Sequence, residues 1–151
     1  MKRNFIGYGD KKPKLSWPDK NHLAVSIVVN IEEGAELSIS SGDKENEHIY
    51  ENNKIKIENG NSDLCMESHF EYGLRAGIWR IFNLLDKYKV GVTFSCCSQA
   101  LEKSPWLIDE ILKRGHEISA HGVKWISHAN LTLKEEEKII QDCYSSILKL
   151  T

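Results

Sequence analysis

The 151 residues include 40% hydrophobic and 28% charged side chains, a mixture that suits one globular domain with a sizeable core and excludes general disorder. A net charge of −2, with lysine and arginine scattered along the chain, removes the electrostatic case for nucleic acid or an anionic membrane as partner. The longest apolar run is too short to span a bilayer, and Met1-Lys2-Arg3-Asn4-Phe5 lacks the apolar stretch of a signal peptide, so the expected location is the cytoplasm.

Residues 1–21 read as an irregular N-terminal arm, broken by Gly7, Gly9, Pro13 and Pro18. Leu23 to Val29 is nearly continuous and rich in β-branched residues, which predicts a strand buried on both faces. It runs into Asn30-Ile31-Glu32-Glu33-Gly34. Residues 35–63 are a long polar excursion, with only the alternating Ile55-Lys56-Ile57 to suggest regular structure; excursions of this length inside a domain tend to be functional or disordered.

From Leu74 the period changes. Ile78, Ile81, Phe82 and Leu85 fall on one helical face, predicting an amphipathic helix over 74–88. A strand follows from Val90 to Cys97. Ser104-Pro105 marks a helix start, Arg114 its approximate end and Gly115 its C-cap. Glu117 to Ala120 is a short third strand. Thr132 and Glu135 form a capping box for a final helix carrying Ile139, Ile140, Cys143, Ile147 and Leu148. Strands alternating with helices predict βαβ units and a parallel sheet, with the active site at the carboxyl ends of the strands.

Two polar motifs fall at that edge: Glu32-Glu33 after the first strand and His121-Gly122-Val123-Lys124-Trp125 after the third. Neighbouring residues on a strand face opposite ways, so both glutamates enter one cleft only if the backbone turns, which Gly34 permits. A carboxylate there activates water, or remains a solvated strand end. His121 suits an acid, a base, a metal ligand or a structural hydrogen bond. In a helix, His128 at i+7 lies about 10 Å from His121, beyond the reach of metal–nitrogen bonds of about 2 Å. Trp125 has no lone pair to offer a metal; it can pack on a flat ligand or donate one hydrogen bond. His116 precedes the third strand and belongs at its opposite end.

Glu67, Glu71 and Arg75 follow at i, i+4 and i+8. They form a surface ion-pair row, or Glu71 and Arg75 stand beside the first strand and bind substrate. Cys65, Cys96, Cys97 and Cys143 make no Cys-x-x-Cys pair and read as buried reduced thiols.

With these residues in place, the chain resembles the polysaccharide deacetylase superfamily, also called NodB-homology or carbohydrate esterase family 4, and within it the allantoinase-like branch of cofactor-independent ureide hydrolases. Ile6-Gly7-Tyr8-Gly9, Trp17-Pro18, residues 29–36, Glu67 to Trp79 and Ser119 to Trp125 carry the resemblance. Metal-dependent members place paired aspartates after the first strand and H-x-x-x-H after the third. Here Glu32 and Glu33 stand at the aspartates, His121 at the first histidine and Trp125 at the second. The resemblance therefore implies an α/β fold, the N-terminal portion of a NodB-type (β/α) barrel over residues 1–151. It also implies hydrolysis of non-peptide carbon–nitrogen bonds. Glu32, Glu33 and His121 would be catalytic, with Trp125, Glu71 and Arg75 binding a small amide or ureide. No metal or other cofactor is implied, and no nucleic acid or membrane partner; the barrel would be completed by a homo-oligomer or a complementary C-terminal half. The alternatives are a zinc-dependent sugar N-deacetylase of carbohydrate metabolism, with His128 or His69 as substitute ligand, and a non-catalytic remnant or half-barrel interaction module.

Overall fold

The structure, a computed structural model, describes residues 3–11, 13–48 and 60–151. The alternation Ile55-Lys56-Ile57 lies outside the described residues. Three parallel strands, β1 (Val28–Ile31), β2 (Thr93–Cys96) and β3 (Glu117–Ala120), lie side by side in that order. Val28, Thr93 and Glu117 are in register at one end, and Ile31, Cys96 and Ala120 at the other. Among the described residues, five α-helices accompany them: α1 (Leu64–Tyr72), α2 (Ile78–Tyr88), α3 (Ser98–Lys103), α4 (Trp106–Lys113) and α5 (Leu133–Leu150). A π-helical turn, Gly73–Gly77, joins α1 to α2 without a break. Parallel strands alternating with helices make this a partial (β/α) barrel.

The core lies on one face of the sheet. Ile31, Phe94 and Cys96 point there and pack with Phe82 and Leu85 of α2, Leu101 of α3 and Leu107 and Ile111 of α4. Phe82 and Phe94 meet at a centroid distance of 5.5 Å, and Trp79 stacks on Trp106 at 5.3 Å to tie α2 to α4. The opposite face is polar: Asn30, Thr93, Ser95, Glu117 and Ser119 alternate with the core residues, and Thr93 Oγ1 donates to Glu117 Oε2 across it.

The first strand corrects the expectation. Pairing begins at Val28, and Leu23 and Val25 are 74% and 73% exposed. The partner strand is only four residues long, so ladder length and register decided the strand's start and the apolar run did not. Nor is β1 buried on both faces: Ile31 is buried, whereas Val28 and Asn30 are exposed. All the helices that build the core cover one side of the sheet, which leaves the other open.

The helix expected over 74–88 is the second part of a longer helical stretch that starts at Leu64, capped by the Asp63 side chain accepting from Met66 N. Helix α3 had no counterpart in the sequence reading; Ser98–Lys103 is too short to display a period. Helix α4 starts one residue after the expected proline and ends before Gly115, whose φ of +73° suits glycine. The capping box at Thr132 and Glu135 is formed in both directions. Cys96, Cys97 and Cys143 are buried free thiols, but Cys65 is exposed, because it sits on the outer side of α1. Residues 3–11 and 13–21 are exposed, with a turn at Gly9–Asp10 and a short 3-10 turn at Pro18–Lys20 as their only regular features. Among the described residues, no helix is long and apolar enough to cross a membrane.

Candidate active site

The carboxyl ends of β1 and β3 meet over the end of β2. The chain leaves β1 through a tight turn in which Ala35 N donates to Glu32 O at 2.8 Å. Gly34 takes φ of +93° there, a conformation that strains any other residue. That turn swings Glu32 and Glu33 into one cleft of about 250 Å³, lined also by Asn30, Glu36, His69, Phe70, Tyr72, Gly73 and Trp125. Strand alternation by itself would have sent the two carboxylates to opposite faces.

Glu32 and His121 are in contact, Oε1 to Nε2 at 3.0 Å, and Asn30 Nδ2 donates to the same carboxylate oxygen at 3.2 Å. An ionised carboxylate only accepts, so the contact with an ionised Glu32 requires a proton on Nε2 of His121. His121 touches the cleft through Glu32. Its own loop is firmly held: His121 N donates to Cys96 O at 2.9 Å, and the Cys97 and Cys143 thiols donate to the carbonyls of His121 and Gly122. The first turn of α3 adds two more bonds, Ser98 N to Gly122 O and Gln99 N to Val123 O. Burial, and next the nearby charge of Glu32, push the Cys97 thiol up to about 12, so it remains a neutral donor.

Glu33 sits differently. Its carboxylate lies against Gly73 at the start of the π-helical turn, and burial raises its pKa above the ordinary 4.5, outweighing the backbone hydrogen bonds that lower it. Trp125 forms a wall: it packs against the core cluster while its backbone N–H donates to Ala35 O at 2.9 Å, locking the β3 loop to the β1 turn.

Glu71 and Arg75 pair with each other at 2.7 Å and are exposed. They line a neighbouring cleft of about 400 Å³ together with Glu33, Gly34, Leu74 and Lys103, so they do stand beside the first strand's end. Glu67 does not join that ion-pair row; it accepts from the hydroxyls of Ser38 and Ser40 and fastens the polar excursion to α1. A second fastening, the Lys124–Asp43 ion pair, ties the excursion to the His121 loop. Despite a desolvation penalty, Lys124 and the Ser38 N–H hold Asp43 below its ordinary carboxylate range.

Asn30, Glu36, Phe70, Tyr72 and Gly73 are cleft residues to which the sequence reading gave no role, although Asn30 opens the motif that runs to Gly34. Asn30 stands two positions before Glu32 and so shares its side of the strand, which was the available signal. Glu36 follows the β1 turn, and Phe70, Tyr72 and Gly73 come from α1 and the π turn that continues it, whose placement against β1 is a tertiary fact.

Trp125 offers no lone pair where the second histidine would stand, and His128 is engaged with Glu136 at 3.1 Å near the start of α5. Among the described residues, no group of three or more His, Cys, Asp or Glu side chains is arranged to hold an ion.

Fold and site together define part of a NodB-type barrel with a carboxylate pair and one histidine at the carboxyl ends of its strands. The chain belongs to the polysaccharide deacetylase family, whose model matches residues 59–151. It is similar to a Schizosaccharomyces pombe protein named "Putative polysaccharide deacetylase", 36% identical over 141 residues, covering 88% of this chain and 42% of that protein. Among solved structures, the Puue allantoinase matches with a TM-score of 0.87 at 34% identity, over 100% of this chain and 50% of that one. A probable polysaccharide deacetylase from Pseudomonas aeruginosa PAO1 matches with a TM-score of 0.87 at 33% identity, over 100% and 51%. The chain therefore spans about half the length of the proteins it matches, or slightly less.

Proposed function

We propose that this chain supplies the N-terminal part of the active site of a hydrolase that cleaves a non-peptide carbon–nitrogen bond, with a ureide such as allantoin as substrate, and that it does so without a bound metal. The observation that carries the proposal is the Glu32–His121 contact at 3.0 Å beside a second carboxylate, Glu33, in the same cleft. The presence of Trp125 in place of a second histidine supports the ureide over an N-acetyl sugar.

Each side chain then has a task. Glu33, whose pKa is raised by burial, takes a proton from the attacking water. The water oxygen bonds to the amide carbonyl carbon. The carbon–nitrogen bond breaks as the proton shared by Glu32 Oε1 and His121 Nε2 passes to the departing nitrogen. The proton taken by Glu33 then restores that pair through water, so one water is consumed per bond cleaved. Asn30 fixes the Glu32 carboxylate, Trp125 packs on the flat ureide, and Glu71 and Arg75 hold polar groups at its far end. The three buried free thiols support a reducing, cytoplasmic setting.

Turnover of allantoin and of an N-acetylated sugar oligomer, each with and without a chelator, tests the proposal. Chelator-resistant ureide hydrolysis that is lost in H121A is the expected result. Zinc-dependent release of acetate with no ureide turnover would replace it with the sugar deacetylase reading.

A further inference from the structure

We propose that Gly73 is a positioning residue of this cleft: because it has no side chain at the first residue of the π-helical turn, the Glu33 carboxylate can lie against the helix. The inference rests on the catalytic assignment of Glu33 above.

A β-carbon added at Gly73 would sit 1.7 Å from Glu33 Oε1, 2.5 Å from its Cδ and 3.0 Å from its Cγ. Those are overlaps with the functional end of the side chain. The backbone conformation does not require glycine, since Gly73 has φ of −54° and ψ of −57°, ordinary for a helix. Glycine inside a helix is otherwise unfavourable relative to alanine. Something must compensate for it here, and the overlapping carboxylate is the feature in contact. The π turn is the second observation. Its wider hydrogen bond, Ile78 N to Gly73 O, inserts an extra residue where the helix passes Glu33, and such insertions concentrate at functional sites. Gly77, at the other end of the same turn, provides the contrast: a β-carbon there comes no closer than 3.5 Å to the Tyr72 ring, an ordinary contact.

Because Glu33 is a flexible side chain, alanine at position 73 displaces the carboxylate and leaves the fold intact. The experiment follows the Glu33 side-chain carbon by NMR across pH in the wild-type chain, G73A and G77A, with urea unfolding of G73A alone, E33A and E33A/G73A. In G73A the Glu33 titration should move down toward that of an ordinary carboxylate, whereas in G77A it should stay where the wild type has it. Gly73→Ala should raise the urea midpoint in the E33A background, where no carboxylate opposes the methyl group, and raise it less or not at all when Glu33 is present. An unmoved Glu33 titration in G73A, or equal midpoint changes in the two backgrounds, overturns the proposal. Ureide turnover separates it from the catalytic assignment. A shifted titration with at least a tenfold fall in turnover supports both, and a shifted titration with unchanged turnover upholds the positioning role and removes Glu33 from the chemistry.

Discussion

Glu32 and His121 are 89 positions apart in the chain and meet at 3.0 Å across the carboxyl ends of β1 and β3. Neither reaches the other through local structure. The contact exists because β2 spaces the two strands and because Trp125 N–H to Ala35 O closes the gap between the loops that follow them.

If that contact holds the proton used in bond cleavage, Glu32→Gln and His121→Ala each lower turnover of a ureide by roughly 10²- to 10⁴-fold, the range for loss of a positioned acid or base. The double variant should lose little more than either single one, because the two act as a unit. Steady-state rates of the purified variants check this. Additive losses would mean that the residues act separately.

Glu33 has a folded-state pKa above its ordinary 4.5, caused first by burial. In the window from 4.5 upward to that raised value, the folded state binds more protons than the unfolded state. Stability therefore falls as pH rises through the window, and the penalty persists above it. Glu33→Gln removes the ionisation, so urea midpoints for this variant should flatten across that window and match or exceed the wild type at neutral pH. Turnover should move the opposite way in the wild type, rising with pH as the carboxylate ionises to act as base. A wild-type midpoint that rises through the window would contradict the assigned burial.

Helix α5 tests the fold independently of the chemistry. Thr132 N donates to Glu135 Oε2 at 2.8 Å, and Glu135 N donates to Thr132 Oγ1 at 3.4 Å. Thr132→Ala should cost about 1 kcal/mol, typical of a lost N-cap, measured by urea unfolding. No change in midpoint would mean that α5 is held by packing alone, through Cys143 and Ile147.

The thiols give a chemical fingerprint. Cys65 is exposed, whereas Cys96, Cys97 and Cys143 are buried, and burial first of all pushes Cys96 and Cys97 up to about 12. Under native conditions a thiol reagent should modify Cys65 rapidly and the other three slowly; in denaturant all four should react at similar rates. Fast native labelling at Cys97 would mean that the His121 loop opens, since that thiol is bonded to the His121 carbonyl.

Much of the protein was legible in the sequence because the relevant signals are local. Glu117–Ala120 alternates between turn signals, Thr132 and Glu135 cap a helix through their own neighbours, and Gly34 and Gly115 occupy the positive-φ positions that favour glycine. The motifs Asn30 to Gly34 and His121 to Trp125 each announced themselves, as did their place at the strand ends. Tertiary structure decided the rest. It began β1 at Val28, because hydrogen bonding to a short partner, and not hydrophobicity, sets where a ladder starts. It also separated the two glutamates, pairing Glu32 with His121 and setting Glu33 against Gly73, because the glycine turn fixes where each carboxylate points only once α1 is packed beside it. Side-chain environment depends on neighbours distant in the chain, and no spacing along the sequence encodes it.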